Sequence, residues 1–464
     1  MCVYISLPIL LFAMVLSGTQ AQEVKTERSI NQSLLKVIKT DIEAKYLDTG
    51  SHFAKVDSSY KEAHDLIAKS SSRNEMARII GLFLIGLNDP RIFFLPRNTN
   101  VDVDYQWTLD LIGNSVYVKD LILGSDAYAK GIRQGDRIYM LEGYILSKEN
   151  FWKIRSIYEI LSPQESLSVI IVKPNGKKYQ VNFKAKVTVS NVLEDFTLSQ
   201  NRNQMIPDES NYEEKVKPKF NNEVKGLLIC RFPSFLVESI SVEKLLDKAN
   251  DSRALILDLR GAGGIAAKAL ELRIRLNRET GAYLVRELGR HVIDRDDGDL
   301  ETLKLITASL LHAGQPIGEL RSRKGSEKLT ANTSPKDAFS GKIAVLVDSE
   351  TSGAAEVFAR LIQLEKRGII LGDVTAGRSV KTNFIAHSSW ATFTSPFGLQ
   401  IPVAEIVLMN GDRLNDKGVT PDQIISPTQS DLAKRSDPVL ARAAEQLGFK
   451  LSPEDSGKIF EKKK

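Results

Sequence analysis

The sequence predicts an α/β protein. Its larger domain is a helix-covered, largely parallel sheet, with a small α+β domain ahead of it and a helical region at the N-terminus. Three observations predict this. Strand–helix–strand repeats recur over residues 222–275 and 342–374, the alternation expected of parallel strands covered by crossover helices. Short Val-, Ile- and Tyr-rich runs broken by Gly-centred turns occupy residues 103–187. Runs with apolar residues at helical spacing occupy residues 22–100. The chain has 464 residues, of which 42% are apolar, enough for roughly two to four domains with proper cores.

The elements follow in order. "MCVYISLPILLFAMVLSGTQAQEVK" has an apolar run, then small residues, then charge. It reads as a signal peptide over residues 1–21, cleaved after Ala21 and implying an exported, periplasmic or extracellular chain. The apolar run is short for a membrane span, so no stable span is expected once the signal is removed. Within residues 22–100, "SLLKVIKTDIEAKY", "YKEAHDLIAK" and "NEMARIIGLFLIGLND" are the helix candidates. The small domain, 103–187, has strands at "SVYVKDLILG", "DRIYMLEGYIL", "LSVIIVKPNG" and "KKYQVNFKAKV", a short helix near Asp126, and a longer one over "KENFWKIRSIYEIL". Pro174–Gly176 marks a hairpin. Residues 188–221 are polar, aperiodic and read as a linker or surface segment. The larger domain spans 222–435. A C-terminal helix follows in 436–464, with Asp437 as its cap and Pro438 in its first turn, then a basic tail.

A net charge of +5 on a chain with mixed signs implies no nucleic-acid partner. The five histidines form no close ligand pair, and no phosphate loop or dinucleotide fingerprint is present. Neither a metal nor a cofactor is expected. Once the signal is removed, Cys230 has no disulfide partner, and its apolar neighbours point to a buried structural thiol.

Three stretches carry a resemblance. "ILGSDAYAKGIRQGDRIYMLEG", 122–143, resembles the core of a PDZ domain. "ALILDLRGAGGIAAKAL", 254–270, looks like the first signature of the C-terminal processing peptidases, or tail-specific proteases: Asp258, Leu259 and Arg260 match, Ala262 stands where Asn is usual, and the pair Gly263–Gly264 comes one residue early. "VLVDSETSGAAEVFARLIQLEKRG", 345–368, is similar to the strand, turn and helix that hold the family's nucleophilic serine. "ILGDVTAGRSV" and "DKGVTPD", 416–422, resemble the family's later motifs.

The resemblance implies a serine-type peptidase handling unfolded or C-terminal polypeptide segments. Leu111, Ile112 and Gly113 would neighbour a peptide-carboxylate loop, and Gly263 and Gly264 would form the oxyanion turn. It also exposes two departures. Gly353 falls on the nucleophile position, with Ser352 one residue early. Arg378 stands at the general-base lysine, and arginine stays protonated and cannot take a proton. Ser352 as a shifted nucleophile, with Lys381 or His387 as base, is one reading. A non-catalytic peptide-binding or scaffolding homologue that keeps the PDZ domain and the groove is the other.

Overall fold

The computed structural model describes residues 6–47, 50, 53–96, 101–189, 217–235, 239–263, 293–296, 299–332, 337–387 and 397–460. The expected helix over 265–277 and Gly264 lie outside them.

The N-terminal region is three helices, Ser6–Lys45, Val56–Lys69 and Arg73–Gly86. The first runs across the expected cleavage point. Leu35, Ile38 and Ile42 fall on one face at helical spacing and share a core with Ile67, Met76 and Ile80. That core continues onto Ile385, Leu399 and Ile401 of a sheet far along the chain, so the helices dock on the larger unit. Among the described residues no helix is long and apolar enough to cross a membrane.

The small α+β unit is an antiparallel sheet in the order Trp107–Ile112, Ser115–Leu121, Arg137–Leu141, Ser166–Val172, Lys178–Lys184. Alternate residues such as Val116 and Val118, or Val169 and Ile171, point into its core, the period of two expected of a sheet with one buried face. The Pro174–Gly176 turn joins the last two strands, with Gly176 N donating to Lys173 O at 2.8 Å. Its helices are Asp126–Ala129 and Phe151–Arg155, the second continuing as a π-helix over Ser156–Leu161.

The larger unit corrects the expected fold class. Among the described residues it is two sheets, and most strand pairing is antiparallel. One sheet runs Lys219–Asn221, Leu227–Arg231, Ala254–Asp258, Lys342–Val347, Gly368–Gly372, Gln423–Ile424, and only its last four pairings are parallel. Helices Ser239–Asn250, Asp299–Leu310 and Ala354–Leu364 cover one face and Pro438–Gln446 the other. The second sheet is antiparallel throughout: Ile293–Asp296, Val380–His387, Phe397–Leu408, Pro316–Ser322 and Gly325–Thr330, with Phe93–Leu95 added to the long strand. Of the βαβ repeats expected over 222–275 and 342–374, the parallel pairs Leu227–Arg231 with Ala254–Asp258 and Lys342–Val347 with Gly368–Gly372 are present, and the stretch from 264 to 275 lies outside the described residues. The chain between and after them makes hairpins. The Pro316–Thr330 hairpin turns at Arg323–Lys324, and its alternation is too polar to stand out as strand.

Candidate active site

The site forms where the Lys342–Val347 strand gives way to the Ala354–Leu364 helix. Every residue of that strand but the first is buried, and the helix buries Val357, Phe358, Leu361 and Ile362 beneath the sheet. The corner between them is therefore fixed from both sides. Asp348 organises it. Its Oδ1 accepts from Thr351 N (2.8 Å), Glu350 N (3.1 Å) and, from the neighbouring strand end, Gly261 N (2.9 Å). Asp with a Thr three residues on is a side-chain-held turn signature.

Gly353 caps the helix at φ 64°, ψ −131°. L-residues resist this region, at a cost of about 1–3 kcal/mol, so a glycine is the undemanding occupant. A Cβ built on it would meet no atom within 4 Å. The corner has room for a side chain and carries none.

Ser352 does not stand in for it. The residue is 6% exposed. Its N donates to Ala262 O (2.8 Å) and its Oγ donates to Gly263 O (2.6 Å). The hydroxyl proton is thus given to a backbone carbonyl, which is no base. Gly263 lies so close that a Cβ there would sit 2.5 Å from Ser352 Oγ, which is why this loop carries glycine at φ 77°. Toward Ser352, Ala262 and Gly263 present carbonyl acceptors, whereas an oxyanion is held by donors.

The segment that carries the base position is pinned by Glu356, on the first turn of the helix. Its fully buried carboxylate accepts from Gly377 N (2.6 Å), Arg378 N (2.8 Å), Ser379 Oγ (3.3 Å) and the Thr375 hydroxyl. Burial pushes this carboxyl up, and the donors hold the rise in check. Arg378 is brought beside the corner in this way. Burial pulls its guanidinium below its ordinary value, against the pull of Glu350 and Glu356, and its Nε is buried with no hydrogen-bond partner. Lys381 lies further on, half-buried in the Val380–His387 strand beside a register shift at Lys381/Thr382.

The small α+β unit reaches the same loop. Arg155, 5% exposed, pairs with Glu350 and with Glu159. Leu111 O accepts from Ser349 Oγ (2.6 Å) and Gly113 N donates to Asp373 Oδ2 (3.1 Å). The segment Leu111, Ile112, Gly113 thus meets the strand ends of the larger unit. Sequence reading did not assign the roles of Asp348, Glu350 and Glu356. The Asp–Thr turn spacing was the available signal for the first; the other two act through contacts far apart in the chain.

Asp258 and Arg260 form a buried ion cluster at the adjoining strand end. Asp258 is fully buried and takes both Arg260 (2.8 Å) and Arg231 (3.0 Å), while Arg260 also holds Asp437 (2.7 Å). Burial raises the Asp258 carboxyl, but the two guanidinium groups outweigh it and hold it well below the usual carboxylate range.

Comparison with known proteins agrees with this architecture. Residues 227–425 match the model of the family described as Peptidase family S41. The chain is 20% identical over 436 residues to carboxyl-terminal-processing peptidase 1, chloroplastic, of Arabidopsis thaliana, covering 90% of this chain and 76% of that protein. It is 24% identical over 204 residues to the tail-specific protease of Haemophilus influenzae, covering 43% of this chain and 24% of that protein. The crystal structure of mature CPAF shares the fold at a TM-score of 0.57 with 12% identity, over 88% of this chain and 94% of that one. The family model thus matches the larger unit, and the structural likeness is one of fold.

Proposed function

We propose that this chain is an exported, tail-specific-protease-like protein that holds unfolded or C-terminal polypeptide segments without hydrolysing them. The reading rests on one observation: the corner residue is Gly353, and the hydroxyl next to it in the chain, Ser352 Oγ, donates to Gly263 O at 2.6 Å. A serine–lysine dyad needs a hydroxyl at the corner and a neutral amine to receive its proton. Here the base position is arginine. Resemblance to peptidases that process polypeptide termini supports a peptide ligand, and the PDZ-like unit at 103–187, with Leu111, Ile112 and Gly113, is the proposed second contact. The apolar run and small residues of 1–21 support export.

The test pairs a serine-directed fluorophosphonate probe with anisotropy of a labelled unfolded polypeptide, on the purified chain. The expected result is peptide binding with no covalent label. Labelling that maps to Ser352 and disappears in Ser352→Ala overturns the reading in favour of a shifted nucleophile.

A further inference from the structure

The small α+β unit and the larger unit enclose a cleft of about 290 Å³ lined by Asp110 and Lys119 from the first and by Asp348, Arg260, Asp373 and Asp437 from the second. Ser349 Oγ–Leu111 O and Gly113 N–Asp373 Oδ2 tie the two units together. Asp348 lines this seam, half-buried. Its three backbone donors all fall on Oδ1, so Oδ2 is the oxygen on which a proton would sit. The cations around it are engaged by other carboxylates. Lys119 pairs with Asp110 (2.9 Å), Arg231 with Asp258, and Arg260 with Asp258 and Asp437. Arg435 donates to Gln134. Of the remaining charges near it, Glu350 on its own loop is paired with Arg155, and Asp373 and Asp120 on the cleft wall are negative.

We propose that Asp348 is a proton-operated latch on this seam: protonated, it lets the small unit close onto the strand ends, and ionised, it loosens them by placing a second negative charge against Asp110. The turn leading to Gly353 is held in both states, because Oδ1 accepts the same backbone donors whether or not Oδ2 carries a proton. Burial, and after it the charge of Asp110, raises the Asp348 carboxyl to about 6 against a reference of 3.8, with Lys119 and the Gly261 N–H opposing. The sign follows. The closed form binds the proton more tightly, so closure is most favoured below about pH 4, weakens as pH rises through 6, and levels off above it. A separation of about two pH units corresponds to a bias of up to about a hundredfold.

Hydrogen exchange at the Gly113 amide, whose bond crosses the seam, reads the closed fraction directly in the full chain. With intrinsic rates corrected, its protection should fall about tenfold or more from pH 4.5 to 7 in the parent. It should be nearly level in Asp348→Asn, which keeps the Oδ1 acceptor and cannot ionise. An Asp348→Asn slope equal to the parent's overturns the proposal and assigns the titration to another group. Asp110→Asn is the second arm, should the first variant fold poorly. It should shift the transition to lower pH, and an unshifted transition is equally contradictory.

Discussion

Replacing Gly353 with Ser and Arg378 with Lys together tests how much of a peptidase the corner still is. Gly353→Ser costs backbone strain alone. The φ of 64° makes that about 1–3 kcal/mol, and with no atom within 4 Å of the new Cβ no packing cost is added. The chain should melt a few degrees lower, on the scale of about 2–4 °C per kcal/mol for a unit of this size. Arg378→Lys removes no hydrogen bond at Nε, which has none. The burial that pulls the Arg378 guanidinium down would pull an ammonium down too, toward the neutral amine a general base must be. Each single variant should therefore leave an unfolded casein-like polypeptide intact, and the double variant should cleave it detectably. Activity in Gly353→Ser alone, equal to that of the double variant, would refute the reasoning and point to Lys381 or His387 as base.

Further outcomes follow from the contacts around the site. Glu356→Gln swaps one acceptor oxygen for a donor amide facing donors, and should destabilise by about 2 kcal/mol in chemical denaturation, with faster exchange at the Gly377 and Arg378 amides. Arg260→Met leaves Asp258 buried with a single guanidinium partner and should cost about 3–5 kcal/mol. Asp258 titrates below its ordinary value when folded, so its stabilisation is present above that ordinary value and lost as pH falls through the lowered one. Urea titrations across acid pH should show this acid limb moving upward in Arg260→Met. Cys230 is fully buried, and burial, then Asp258, pushes its thiol well up. It should resist thiol reagents in the native chain and react on unfolding.

The parts of the fold legible in the sequence were those with local periodicity. Ile343 to Val347 of the Lys342–Val347 strand is a run of consecutive apolar residues, and the helix after it repeats buried residues at Val357, Phe358, Leu361 and Ile362. The antiparallel sheet was less legible. Its hairpin strands, such as Gly325–Thr330, are exposed at all but one position, and Val380–His387 and Phe397–Leu408 are neighbours only through tertiary pairing. At the site, the sequence put Gly353, Ser352 and Arg378 in one neighbourhood by motif spacing. It did not reveal where the Ser352 hydroxyl goes, because that depends on Gly263, 89 residues away. Nor did it reveal the Arg155–Glu350 and Gly113–Asp373 contacts, which join segments 195 and 260 residues apart.

Mass spectrometry of an unfolded polypeptide incubated with the purified parent chain tests the central claim most directly, with binding of the same polypeptide measured in parallel. The account predicts an intact polypeptide that is nevertheless bound. Cleavage products that vanish in Ser352→Ala would contradict it.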